Sequence, residues 1–213
     1  VWLKTQTAGM SRDRWAILLA ALVVLLWATA ATAFKLALRW VTPFELLVYS
    51  VATSVIALAL ILSLGQGWGQ IRETPRASLL RAGLLGALNP FLYYLVLFQA
   101  YALMPAQEAQ ALNYTWALTM ALLAVPLLRH PLGAGELLAA LVCYGGVLVI
   151  ATRGQLLSLE FAHPLGVGLA LLSTVLWALY WILNTGEKND PLVTLFLNFS
   201  FALPILFVYC LWQ

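Results

Sequence analysis

The feature that most limits what this chain can become is the length of its apolar runs. Seven stretches, Trp15–Phe34, Phe44–Leu64, Leu79–Leu103, Pro105–Leu128, Leu137–Ala151, Leu165–Leu183 and Leu192–Trp212, are continuous and do not alternate in polarity. A bilayer core about 30 Å thick takes about 20 helical residues at about 1.5 Å each, whereas a barrel strand takes about 10 of alternating polarity. The runs fit helices. The fifth is short but extends back through Gly133–Glu136. Turn signals separate the runs: Gly65-Gln-Gly-Trp-Gly69, His130-Pro131, His163-Pro164 and Asn189-Asp-Pro191. The expected fold is an all-α, polytopic membrane protein with seven spans.

Composition closes off the other classes. Of 213 residues, 63% are apolar and only 9% are charged, against about 25% charged in soluble domains. The mean hydropathy is +0.93. A water-soluble enzyme, a nucleic-acid module, a disordered chain and a disulfide scaffold are excluded, and the lipid bilayer is the first partner. Lys4, Arg12, Arg14, Arg72, Arg76, Arg81, Arg129 and Lys188 fall on the side of the amino terminus, against Lys35, Arg39 and Arg153 on the other. Cationic loops stay in the cytoplasm, so the amino terminus is expected there. The net charge of +3 reflects this bias and no nucleic-acid partner.

Ala28-Thr-Ala-Ala-Thr-Ala33 contains signal-cleavage patterns, but its run is too long for a signal core and six more follow. Cys143 and Cys210 lie inside apolar runs and are expected as buried thiols. No Cys/His cluster has metal spacing, and His130 and His163 each precede a proline at a helix boundary. No metal or cofactor is expected. A phosphate-binding loop, a Ser/His/Asp set and paired carboxylates within the spans are all missing, so neither ATP-driven transport nor an enzyme is expected.

An internal repeat organises the runs. Leu25-Leu-Trp-Ala28 in the first span recurs as Val175-Leu-Trp-Ala178 in the sixth, each followed by a proline-containing turn (Pro43, Pro191) and another apolar run. If five helices make one unit, the second unit is inverted, because five is odd. Residues 1–14 would be a cytoplasmic segment, 15–152 the first five-helix unit and 165–213 the opening of the second. Met10-Ser-Arg-Asp-Arg14 reads like a start and the chain stops with its seventh span, so a fragment of a ten-helix protein is expected.

Polar residues at membrane depth need reasons. Glu108, in the first turn of the fourth span, either complements that helix's N-terminus or faces a cavity to bind substrate amine or a coupling proton. Glu108, Leu112, Asn113, Trp116, Thr119 and Met120 share one arc of about 140° at about 100° per residue. Tyr114 lies about 160° from Trp116 on an ideal helix, so both reach one small ligand only through a local distortion. In the sixth span Ser173, Thr174, Trp177, Tyr180, Trp181 and Asn184 recur at spacings of three and four. That stripe is either packing or a stacking surface for a flat or cationic molecule, and Trp27 is its repeat-related partner. The third span is expected to kink near Gly86, four residues before Pro90, with Phe91, Tyr93 and Tyr94 following. Pro204 with Ser200 repeats the device in the seventh span, near Asn198. Gly135, Ala139 and Cys143 form a small-residue ridge in the fifth span, followed by Gly145-Gly146, which predicts close helix packing.

Glu108 through Asn113-Tyr-Thr-Trp116, Gly145-Gly-Val-Leu-Val-Ile150 and the two Leu-Trp-Ala motifs together resemble the drug/metabolite transporter superfamily, the EamA-type permeases. Within it the Glu and Asn-Tyr-x-Trp spacing looks most like the aromatic amino acid and paraquat exporter branch. Ala117 departs from the proline usual there, and His130-Pro131 from the usual Gly-Glu. The resemblance implies two inverted five-helix repeats around a central cavity and efflux of small metabolites across the bacterial inner membrane. Tyr114 and Trp116 match the branch's aromatic pair and Trp177 its sixth-span tryptophan. The expected function is therefore a secondary exporter of amino acids or aromatic and cationic compounds. Its substrate residues are expected to be Trp116, Trp177, Tyr114, Glu108, Asn113, Tyr94, Phe91, Trp27 and Tyr180. A non-transporting receptor or assembly subunit is the alternative, with a membrane-embedded enzyme behind it.

Overall fold

The computed structural model of the protein describes residues 12–65, 67–155, 163–187 and 189–212. Among them, seven helical stretches are long and apolar enough to cross a membrane. The first and second are α1 (Arg12–Ala37) and α2 (Pro43–Ser63). A short helix α3 (Gly67–Glu73) precedes the third span, which is α4 (Arg76–Gly86), a π-helical turn over Ala87–Leu92 and α5 (Tyr93–Leu103). The fourth is α6 (Ala106–Asn113) and α7 (Trp116–Leu128); α8 (Ala134–Ala151), α9 (Pro164–Asn184) and α10 (Pro191–Trp212) complete the set. The cytoplasmic segment expected over 1–14 lies, up to residue 11, outside the described residues, as does Lys188.

Local chemistry sets the helix starts. Thr42 accepts the Glu45 amide at 3.2 Å while its own amide donates to the Glu45 carboxylate at 2.7 Å, and Pro43 opens α2. Gly133 donates to Glu136 at 2.7 Å ahead of α8, which accounts for the backward extension of the fifth span. Arg129 ends α7 in the left-handed conformation (φ 56°).

In lipid the helices gain little from burying apolar surface against one another, so close approach and polar contacts decide the packing. Half of the apolar stretch of α9 is buried, against the third and fourth spans. Along α10, which packs on α2 and α4, the backbone comes so near that a Cβ on Gly86 would collide with the Asn198 carbonyl oxygen. Gly86 thus admits the seventh span, while the distortion of the third falls at Asn89 (φ −145°, ψ 117°).

Two charged side chains tie helix ends across the bundle. Lys35 donates to the carbonyl oxygens of Tyr101 (2.6 Å) and Met104 (2.9 Å), where α5 leaves carbonyls unpaired. Arg81 does the same for α9, donating to the carbonyls of Leu183 and Thr185 and facing Glu187 at 4.0 Å.

Three expectations are corrected. Gly135, Gly145 and Gly146 meet no neighbour within 4 Å of an added Cβ and Cys143 is exposed, so the ridge of the fifth span faces outward. Its helix lies at the edge, touching mainly α6. Cys143 and Cys210 are both exposed thiols, because apolar surface in a bilayer has no need to turn inward. The glycine-rich turn after the second span holds α3: Trp68 donates to Ser63 Oγ at 3.0 Å and meets Phe196 edge-on at 5.6 Å.

Candidate substrate cavity

The fourth span is not one helix. Thr115 N bonds back to the Leu112 carbonyl at 3.2 Å, three residues earlier, and its hydroxyl donates to the same oxygen at 2.8 Å. This tightened turn separates α6 from α7 and re-aims the residues on either side. Tyr114 and Trp116, opposed on an ideal helix, therefore line one hollow.

That hollow has a volume of about 130 Å³, opens on one side, and lies among the first, third, fourth and sixth spans. Trp27, Ala30 and Phe34 come from α1, and Tyr93, Tyr94, Leu97 and Tyr101 from α5. Gln110, Asn113, Tyr114 and Trp116 come from the fourth span, and Trp177 from α9. Trp177 is the hub: its ring lies 4.5 Å from Tyr93, 6.4 Å from Trp116 in an edge contact and 5.9 Å from Tyr180. None of these lining residues carries a formal charge.

A polar seam fixes the wall. Asn113 Nδ2 donates to Ser173 Oγ at 2.9 Å, and Tyr93 reaches Asn113 Oδ1 at 3.5 Å. Deeper in, the Thr119 hydroxyl shares hydrogen bonds of 2.9 Å with Thr174 and with Tyr144. Ser173, Thr174, Asn113 and Thr119 are all buried. The seam joins α9 to the fourth span and the fourth span to α8.

Of the nine expected substrate residues, Trp27, Tyr94, Asn113, Tyr114, Trp116 and Trp177 meet at this hollow. Tyr180 stands behind Trp177, its hydroxyl accepting from Asn198 at 3.1 Å. Phe91 turns toward the seventh span, edge-on to Tyr209 at 6.1 Å. Glu108 is off the wall as well; it accepts from Arg153 Nε at 3.0 Å, at the far end of α8. Gln110, Tyr101 and Phe34 were not foreseen. Gln110 sits three and four residues before Asn113 and Tyr114, a spacing that could have flagged it. Tyr101 donates to Gln110 at 2.6 Å, a pairing of two spans that no local pattern reveals.

The hollow is aromatic and uncharged and lies between the helices of a polytopic membrane bundle. The model of the EamA-like transporter family matches residues 14–152, and the chain belongs to that family. It is accordingly a multi-pass membrane protein from a family of small-molecule transporters. No curated protein and no solved structure matches the chain.

Proposed function

We propose that the chain is the substrate-binding part of a secondary exporter that moves small aromatic or cationic metabolites, amino acids among them, across the bacterial inner membrane. The observation carrying this is the meeting of Trp27 and Trp177, from the two Leu-Trp-Ala motifs, at one hollow with Trp116 and Tyr114. Aromatic faces attract flat rings and cations alike, and Gln110 and Asn113 add directional hydrogen bonds. With no charge on the wall, an anion would lose its hydration without a counter-ion.

The repeat reading adds that α9 and α10 are the inverted counterparts of α1 and α2. The paired elements are offset by five spans, and the two motif tryptophans share one cavity, as a two-fold axis in the membrane plane would require. In this reading three further spans would complete a ten-helix protein, and the excess of cationic residues keeps the amino terminus cytoplasmic. Glu108, held by Arg153, is a helix-end carboxylate here, and proton coupling through it is not part of the reading.

The test is flux in proteoliposomes made with the complete protein, using labelled aromatic amino acids and quaternary amines as probes. Trp116→Ala should lower flux about five- to thirtyfold, since loss of one cation–π or stacking contact amounts to about 1–2 kcal/mol, while insertion stays intact. Unchanged flux removes Trp116 from the site.

A further inference from the structure

Away from the aromatic cavity, the break in the third span, α9 and α10 enclose a second polar cluster that the substrate reading does not use. Asn89, at the non-helical position of the π turn, is 3% exposed, Asn198 on α10 is 0%, and Thr194, one turn before it, is 7%. The Tyr180 hydroxyl joins them, accepting from Asn198 Nδ2 at 3.1 Å and lying within hydrogen-bonding reach of Asn89. With the Asn198 amide nitrogen committed there, Asn198 Oδ1 is buried without a hydrogen-bond partner, as are Asn89 Oδ1 and Thr194 Oγ1. Asn184 Oδ1, one turn beyond Tyr180, is another. Ser200 Oγ is a fifth, but two residues from Asn198 it lies about 200° round α10 and faces elsewhere.

Buried acceptors left unpaired at membrane depth are costly, and irregular backbone there persists where it serves a cavity. Thr194 and Asn198 also line a crevice with Ser78, Ala82 and Leu85 that is too narrow to admit a water-sized sphere. Glu187 stands on that crevice too, opposite Arg81 at 4.0 Å. Oxygen acceptors suit a cation and repel an anion. Neutral carboxamide and hydroxyl oxygens suit a monovalent ion, since calcium sites are built with carboxylates and magnesium holds its waters. The tight crevice favours a small one.

We propose that the unpaired oxygens of Asn89, Thr194 and Asn198 form a sodium site between the third and seventh spans, beside the Tyr180 hydroxyl. An ion there would fix Tyr180, which packs on Trp177 at 5.9 Å, and so the aromatic wall of the cavity. A discontinuous helix supplying ligands to a coupling ion is a physically sound use of its freed polar groups. This coupling rests on the transport reading; ion binding itself does not.

The experiment titrates the complete protein in detergent with NaCl against choline chloride at constant ionic strength, without substrate. It reads tryptophan emission and, separately, bound ²²Na⁺. Saturable ²²Na⁺ binding is expected, with an emission change that K⁺ does not reproduce, because Trp177 and Trp181 both contact Tyr180. Asn198→Ala and the near-isosteric Thr194→Val should each raise the midpoint at least tenfold. If Asn198→Ala does not fold, Thr194→Val carries the test. Absence of saturable ²²Na⁺ binding overturns the site, leaving the cluster to water; so does binding that Thr194→Val leaves unchanged. Ion binding by a protein that moves no probe would sink the transport reading and leave the site standing, and probe flux without ion binding would do the reverse.

Discussion

The first and sixth spans carry the same Leu-Trp-Ala motif and meet at one cavity, yet they are held in place very differently. Half of the apolar stretch of α9 is buried, against 6% for α1. Trp177 lies among four rings, those of Tyr93, Trp116, Tyr180 and Trp181, while Trp27 is 47% exposed. Aligning the two motifs places Val23 and Val24 where the sixth span has Ser173 and Thr174. The latter bond across to Asn113 and Thr119; the valines have no polar group to bond and are 50% and 66% exposed. Thr29, the nearest hydroxyl to Trp27 on α1, bonds only to carbonyls of its own helix. The lesson is that a shared aromatic motif can supply two walls of one cavity, but in lipid the polar seam decides which wall is fixed.

The comparison can be broken by substitution. Trp177→Ala should have the largest effect: about 3 kcal/mol of stability, near the low end for loss of a large aromatic in a packed site, together with loss of probe flux. Thermal unfolding in detergent reads the first quantity and proteoliposomes the second. Trp27→Ala should cost under about 1 kcal/mol, because so much of that ring is already exposed, and still lower flux as Trp116→Ala does. If it destabilised the protein as much as Trp177→Ala, the two walls would be equally fixed and the contrast would fall. Thr119→Val removes two hydroxyl contacts of the seam and should cost about 0.6–1.7 kcal/mol; a shift below the error of a melting curve would mean the seam does not anchor α9. The smallest effect is expected for Glu108→Gln, within about 1 kcal/mol for a partly exposed pair and with no change in dependence on a pH gradient. A mutant that lost that dependence would return Glu108 to the transport path.

Much of the fold was legible in the chain. Run length located all seven spans, with ends displaced by a few residues at most, because a bilayer asks for a fixed apolar length. Pro90 marked the break in the third span, since proline has no amide hydrogen to donate. Residue type and repeat position singled out Trp27, Trp116 and Trp177. Gly86 was read as easing a kink and proved to be a point of close approach. The ridge of Gly135, Ala139 and Cys143 was read as an interface and faces outward. Small residues permit contact; they do not supply the partner.

By itself the sequence determined that the chain spans a membrane, how many times it does so, and which helices carry aromatic faces, because these follow from length and period along the chain. Tertiary structure alone decided that Tyr114 and Trp116 reach one hollow, that Glu108 is taken by Arg153, and that Asn198 reaches Tyr180 across two spans. Each of these depends on a broken helix or on residues far apart in the chain, and local patterns carry no information about distances across a bundle.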